Sequence, residues 1–544
     1  MSAFEVKLQN VALMEAERGY DVTIICTSDA QQSAYWEKRL GSKKGSVTPT
    51  ASTVIAVDED WDGGAGNFLG TLYAWRKACK RHKEVSGGDL AAELAGGASV
   101  AIFHTAGKGT RLAPLPGAEN NNKPGVKLPA PGAPCILECV IRQTGAYAGS
   151  RKRRLSVFWG DQIFVPSVPA TYTPSHHVDI ACALGPMPSA EEWERRGLQA
   201  YGCIAACDDS SVAAMLEKVS HETASQALKG LDKVTKVGTS LGSFSLSSAF
   251  LQALDAGFTT EVDARKGKMD TDPHVWMPMT LDESSYAAIA VQKGLFDDAA
   301  ARAHHQRVSA IVAGFDMSSD GLSGGMFGAV TVGQDMAWWD YGLIKLFAKN
   351  SLLLTEASED AKLARAFFGI DETARVGKDC SLGACTADGV SVVSATRAQS
   401  GSISGSALVG VTASEIRAEA AVLVNVCAKK VVAAPGSVAY NILDTSEEGL
   451  VLKENEVRVG VFTLDSARPY FEMRSDREEI DGGKVFKERV CGNALSFQEV
   501  YDLNSGVDVS ACAEAAGARS AAFAESLLPK EEGDAKRRKP SKPY

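Results

Sequence analysis

Short runs of branched apolar residues alternate with amphipathic stretches over roughly the first 350 residues. Asp21–Thr27 (DVTIICT), Thr53–Val57 (TVIAV), Ser99–His104 (SVAIFH) and Leu155–Phe158 read as buried strands. Between them Ala30–Leu40 and Leu69–His82 carry helical periodicity. The habit continues with strands at Val178–Ala183 and Ser240–Ser245, and with Trp338–Ser351 entering a helix. Alternation of this kind predicts an α/β fold whose sheet is mixed but mostly parallel, with helices on both faces.

From about Val376 the texture changes. Val376-Gly377, Ser381-Leu382-Gly383, Gly389-Val390-Ser391, Gly401–Gly405, Val409-Gly410-Val411 and Ile416 follow at short spacing. Small residues at corners with a branched residue every few positions suit a parallel β-helix, in which each coil stacks on the one below. That reading is preferred to a β-sandwich. A charged, less regular stretch follows, with a strand-like Glu456–Thr463. The expected organisation is therefore a first domain over residues 1–370 and a β-helix-like domain over 371–445. Residues 446–528 would pack on or extend the β-helix, and 529–544 would form a loose basic tail.

Composition narrows the class. Of 544 residues 45% are hydrophobic and 23% charged, with 57 basic against 67 acidic side chains and a net charge of −10. Disordered, collagenous and disulfide-stapled chains are excluded, and the mild acidity argues against a general nucleic-acid coating protein. The twelve cysteines form no CxxC pair, which predicts buried thiols in a reducing, cytoplasmic setting rather than a zinc knuckle. No apolar run is long enough to span a membrane, and Met1–Asn10 shows no secretory signal. The tail Lys536-Arg537-Arg538-Lys539-Pro540 reads as a solvated terminus before it reads as a nuclear address or nucleic-acid contact. His176-His177 read as ordinary surface or packed residues rather than metal ligands. Lys268–Trp276 gathers carboxylates, an imidazole and an indole, and fits a turn or part of a sugar or metal pocket equally.

The segment Ile102–Pro129 (IFHTAGKGTRLAPLPGAENNNKPGVKLP) carries the most chemistry. A strand runs into Gly107-Lys108-Gly109-Thr110-Arg111. Glycines there let backbone N–H groups approach a phosphate chain, and Arg111 adds a permanently charged planar donor. Such a loop at the carboxyl end of a strand stands where open α/β sheets bind ligands. It is neither a Walker loop nor the dinucleotide fingerprint.

Gly-x-Gly-Thr-Arg, followed by Pro114-Leu115, Lys123-Pro124 and Leu128-Pro129, resembles the signature of the sugar-1-phosphate nucleotidyltransferases, or NDP-sugar pyrophosphorylases. Four further stretches match that family in order: Trp159-Gly160-Asp161, Tyr201-Gly202-Cys203-Ile204, Glu217-Lys218 and Trp338-Trp339-Asp340-Tyr341-Gly342. Leu343 and Val219 depart from the usual threonine and proline, and the Asn120-Asn121-Asn122 spacer leaves the signature lysine open between Lys123 and Lys127. Lys123 is preferred because it keeps the spacing of the fucose-1-phosphate guanylyltransferases. Asp62–Thr71 (DGGAGNFLGT), ahead of the signature loop, also resembles that subgroup.

The resemblance implies a Rossmann-like domain of GT-A type and a Mg²⁺-dependent transfer. In it Gly107, Lys108, Gly109, Thr110 and Arg111 would clasp a nucleoside triphosphate. Arg111, Lys123, Asp161 and Lys218 would be catalytic. Asp161 and Asp340 would hold Mg²⁺, while Gly202, Glu217 and Lys218 would meet the sugar 1-phosphate. GTP with fucose 1-phosphate is the favoured pair and UTP with glucose 1-phosphate its close rival. A homo-oligomer is expected, with neither nucleic acid nor membrane as partner. The competing reading is a non-catalytic regulator or scaffold that binds nucleotide sugar.

Overall fold

The computed structural model describes residues 1–229, 231 and 233–528. The basic tail named above lies outside them. The chain is mixed α/β, with sheets rich in parallel pairs. From the N-terminus to Asp340 it forms β1 (Val22–Thr27), β2 (Thr53–Asp58), β3 (Ser99–His104), β4 (Arg154–Trp159), β5 (Gln162–Val165) and β6 (His176–Gly185). Then come β7 (Gly202–Ala206), β8 (Val212–Glu217), β9 (Lys236–Ser247), β10 (Gly325–Thr331) and β11 (Ala337–Asp340).

Two compact units emerge, and they interleave along the chain. The first comprises Met1–Ala106, Arg142–Trp159 and Val165–Ala337. Its sheet runs β10-β6-β9-β4-β3-β1-β2, with β7 joined to β8 and β9. The pairs β1–β2, β1–β3, β3–β4 and β6–β10 are parallel. The strand β9 runs antiparallel to both β4 and β6, so the sheet is mixed. Every residue of β1 is buried, as an unbroken apolar run between two covered faces requires. The helix Ala30–Gly41 begins where the Asp29 side chain accepts the Gln32 N–H, and it buries Tyr35, Trp36 and Leu40. Deep in this unit Arg154, 2% exposed, donates to Ser245 Oγ and to the carbonyls of His176, His177 and Ser245. It also pairs with Asp179 at 3.2 Å. His176 and His177 are packed inside, bonded to serines and to the Met317 carbonyl.

The second unit comprises Gly107–Ile141, Gly160–Phe164 and the described residues from Trp338 on. Two parallel ladders dominate it. In one, Arg397–Ser404 pairs with Thr412–Glu419, which continues onto Lys430–Ala433. In the other, Val392–Ser394, Ala407–Val409, Val422–Val424 and Val438–Tyr440 stack in parallel. The first coils repeat every 15 residues, Ser406 N–H donating to Ser391 Oγ and Ala421 N–H to Ser406 Oγ, and the step from Val422 to Val438 takes 16. Ile403, Ile416, Leu408, Leu423 and Val431 fill a common apolar core. Gly401 has φ +123°, and a Cβ there would meet the Ile416 carbonyl oxygen at 1.8 Å, so stacking demands glycine. The ladders start where the texture changes, since Val376 bridges Val393 and Ser381 bridges Arg397, both in parallel.

Candidate active site

The second unit holds the signature loop and both predicted metal carboxylates. After β3 the chain turns at Gly107 (φ +140°) and Gly109 (φ +61°), then enters a single helical turn at Thr110–Leu112. A Cβ on Gly109 would stand 3.1 Å from the Lys123 side chain, so the lysine stem lies along the loop. The Lys123 ammonium donates to Asp161 Oδ2. Asp161 immediately precedes β5, and β5 pairs with β11, at whose end Asp340 stands. The Tyr341 N–H donates to the Asp161 carbonyl at 3.1 Å, which locks the two segments side by side.

The two carboxylates meet across a glycine. Asp340 Oδ1 accepts the Gly342 N–H at 2.6 Å, while the Asn350 side-chain amide donates to the Asp340 carbonyl at 2.8 Å. A Cβ on Gly342 would come 3.0 Å from Asp340 Oδ1 and 3.3 Å from Asp161 Oδ2. Burial raises the Asp340 carboxyl above its ordinary range and the Asp161 charge adds to that. The Gly342 hydrogen bond, Lys123 and Arg111 oppose it. Arg111, Lys123, Asp161 and Asp340 therefore form one electrostatic cluster. Its donor set is two carboxylates on rigid strand ends, one of them destabilised by the other's charge. That is the environment a hard divalent cation relieves, so the residues fit Mg²⁺.

The two candidate lysines separate cleanly. Lys127 Nζ lies 2.5 Å from Glu119 Oε1, a carboxylate that also accepts from the Tyr440 hydroxyl and the Asn441 amide. Its backbone N–H donates to Tyr440 OH. Lys127 is thus committed to a structural network, and Lys123 is the one beside the acids. Lys108 lies over the Tyr501 ring at 4.9 Å. A Cβ on Gly483 would come 3.1 Å from Arg111 Cγ, so a segment from late in the chain covers the arginine stem. Sequence motifs gave no sign of that contact, because Asp481–Gly483 belongs to none of them.

The residues predicted for the sugar come together in the first unit. Gly202 on β7 faces Glu217 at the end of β8. A Cβ on Gly202 would crowd Met215 at 2.7 Å and Glu217 Oε2 at 3.2 Å. Lys218, with φ +51°, pairs with Glu217 at 2.6 Å and leaves 59% of its side chain exposed. Burial opposes its charge, but Glu217, Asp272 and Asp270 outweigh that and raise the ammonium's pKa. Asp272 itself is pushed up to about 8, by burial first and the Glu217 charge second. The Lys268–Trp276 segment divides accordingly. Asp270 and Asp272 join the Glu217–Lys218 group, and Asp270 Oδ1 also accepts the Asn67 N–H at 2.9 Å. Trp276 is core, and His274 is buried with Nδ1 beside the Asp270 carbonyl.

One cluster escaped sequence reasoning. Cys26 on β1, Glu59 just after β2 and His104 at the end of β3 bring a thiol, a carboxylate and an imidazole within 4.8 Å of one another. Burial alone pulls the His104 imidazole down to about 4, while burial first and the Glu59 charge second push the Cys26 thiol up. The residues are far apart in the chain, and only the parallel register, in which Cys26 faces His104, unites them. No helix among the described residues is long and apolar enough to cross a membrane. No family model matches the chain, and no curated protein matches it.

Proposed function

We propose that this chain is a sugar-1-phosphate nucleotidyltransferase, joining a sugar 1-phosphate to a nucleoside triphosphate with release of pyrophosphate. The observation that carries the reading is the meeting of Asp161 and Asp340 across Gly342, beside Lys123 and Arg111. The parallel-rich sheet supports the GT-A type of domain, and the ladder of 15- and 16-residue coils supports the β-helix-like one.

In the reaction a sugar-phosphate oxygen attacks the α-phosphorus. The bond from that phosphorus to the bridging oxygen breaks, and pyrophosphate leaves with the electron pair. The attacking phosphate is already ionised near neutrality, so no general base is needed. Repulsion between anions and in-line orientation set the barrier. Arg111 and Lys123 neutralise the triphosphate and the departing pyrophosphate. Lys123 is paired with Asp161 in the present structure, so its charge stands ready at the loop. Lys218 holds the incoming sugar phosphate, and Glu217 accepts from a sugar hydroxyl. Asp161 and Asp340 would hold Mg²⁺, which when bound supplies positive charge to the phosphate oxygens.

GTP with fucose 1-phosphate is the favoured pair, and UTP with glucose 1-phosphate its rival. Four nucleoside triphosphates screened against a panel of hexose and pentose 1-phosphates with Mg²⁺ test the reading. Pyrophosphate should appear in step with an NDP-sugar for at least one pair. Binding of nucleotide sugar with no turnover for any pair would establish the regulator instead.

A further inference from the structure

We propose that Cys26, Glu59 and His104 form a binding site for one thiolate-accepting divalent cation of the zinc type, independent of the magnesium assigned to Asp161 and Asp340. The neighbouring strands β2, β1 and β3 run parallel and end at one edge of the sheet. Each delivers one donor at that edge, and the three donor atoms lie within 4.8 Å of one another. A tetrahedral zinc with bonds of ~2.0–2.3 Å places its donors ~3.3–3.8 Å apart, so closure needs side-chain movements of about 1 Å.

The surrounding bonds leave a lone pair unclaimed on each of the imidazole and the carboxylate. The Thr71 hydroxyl donates its only proton to the Asn67 carbonyl at 2.7 Å. His104 Nε2, 2.8 Å from that hydroxyl oxygen, must therefore be the donor in their contact. The imidazole lone pair is left on Nδ1. A metal-binding histidine is held in just this manner, with its second nitrogen donating to a neighbouring oxygen. Glu59 is oriented likewise. Its Oε1 accepts the Ala65 N–H at 3.0 Å, and Oε2 retains its capacity to ligate. Gly70 makes the room, since a Cβ there would lie 2.8 Å from Glu59 Oε2 and 3.6 Å from His104 Cε1. Gly70 sits inside the helix Gly66–Ser86 with no left-handed φ, where alanine suits the backbone better. The space by the carboxylate is what glycine provides.

A sulfur, a nitrogen and an oxygen donor select zinc-like ions over magnesium, which demands oxygen. Three protein donors leave a fourth position for water or a ligand. On binding, the Cys26 S–H bond breaks, the metal–sulfur bond forms and the proton leaves to solvent.

The test uses the full chain, stripped with chelator and titrated with Zn²⁺ against a chromophoric competitor, then with Co²⁺ for its spectrum. The wild type should take up one ion per chain at this site, and Co²⁺ should give a thiolate charge-transfer band. Cys26→Ser should abolish the band, and Glu59→Gln should weaken zinc binding by at least ~10²-fold. If Cys26→Ser fails to fold by circular dichroism, Glu59→Gln and Gly70→Ala decide, because each leaves the thiol in place. Wild type that retains no zinc against the competitor overturns the proposal, as does equal affinity in the folded variants.

Discussion

Gly342→Ala tests the acid pair without removing a charge. The added methyl would come 3.0 Å from Asp340 Oδ1 and 3.3 Å from Asp161 Oδ2, against an ordinary carbon–oxygen contact of ~3.4 Å. Gly342 does not occupy the left-handed region, so alanine meets no backbone penalty. Crowding of this size costs about 1–3 kcal/mol, and the stiffer unfolded chain returns ~0.4–1 kcal/mol. A net loss of about 1 kcal/mol leaves the protein folded. The carboxylates must each give way by a few tenths of an ångström, and Mg²⁺ tolerates little departure from its octahedron. Since a misplacement of ~1 Å costs ~10²-fold, turnover should fall about tenfold. Raising the magnesium concentration should recover part of it. Pyrophosphate release measured across a magnesium titration, with melting curves for both proteins, decides the matter. Wild-type turnover with unchanged magnesium dependence would refute the reasoning, since the methyl would then sit between two acids that hold nothing.

Four further substitutions separate the roles of other residues. Lys123→Met should lower turnover ~10²-fold and leave stability nearly unchanged, whereas Lys127→Met should cost about 1.5–3 kcal/mol by removing the one cation that bonds Glu119 and leaving its charge to Tyr440 and Asn441; urea unfolding beside pyrophosphate assays would expose a reversal. Asp272 keeps its proton up to about 8 in the folded chain and loses it near 3.8 once unfolded. The folded state therefore binds the extra proton in that window, and the group's contribution to stability declines as pH rises through it. Asp272→Asn should remove that decline and raise the melting temperature more at pH 8 than at pH 5, and an identical shift at both would contradict the assignment. Arg154→Met should cost ~3–5 kcal/mol by leaving the Asp179 charge in the interior with the Tyr172 hydroxyl in place of its ion pair. Denaturant midpoints would show it, and a loss under ~1 kcal/mol would mean the pair is already wet.

The strands of the first unit were legible because continuous apolar runs such as VTIICT bury on both faces and need no partner to be recognised. Longer strands were seen only in their apolar centres: Ser240–Ser245 proves to be the middle of Lys236–Ser247. Trp338–Ser351 reads as a single approach to a helix. The structure instead spends Ala337–Asp340 on a strand and starts the helix at Ile344. That short strand is decided by its pairing with β5, which local pattern does not encode. At the candidate site the resemblance already implies that Asp161 and Asp340 meet, whereas their approach across Gly342 depends on the β5–β11 pairing, which no motif encodes. Spacing favours Lys123 over Lys127 and leaves both open; what separates them in the fold is packing, with Glu119 and Tyr440 claiming the second lysine. The Cys26–Glu59–His104 cluster was illegible for a related reason. Neither tight ligand spacing nor a motif marks these donors, which meet only through strand register.

A double-mutant cycle on cation binding tests the central claim most directly. Mn²⁺, standing in for Mg²⁺, is titrated into the full chain and followed by paramagnetic resonance, with Asp161→Asn, Asp340→Asn and the double variant alongside. If both acids hold one ion, each single variant should lose nearly as much affinity as the double, a strongly non-additive result. Losses that simply add, or manganese binding unaffected in all three folded variants, would contradict it.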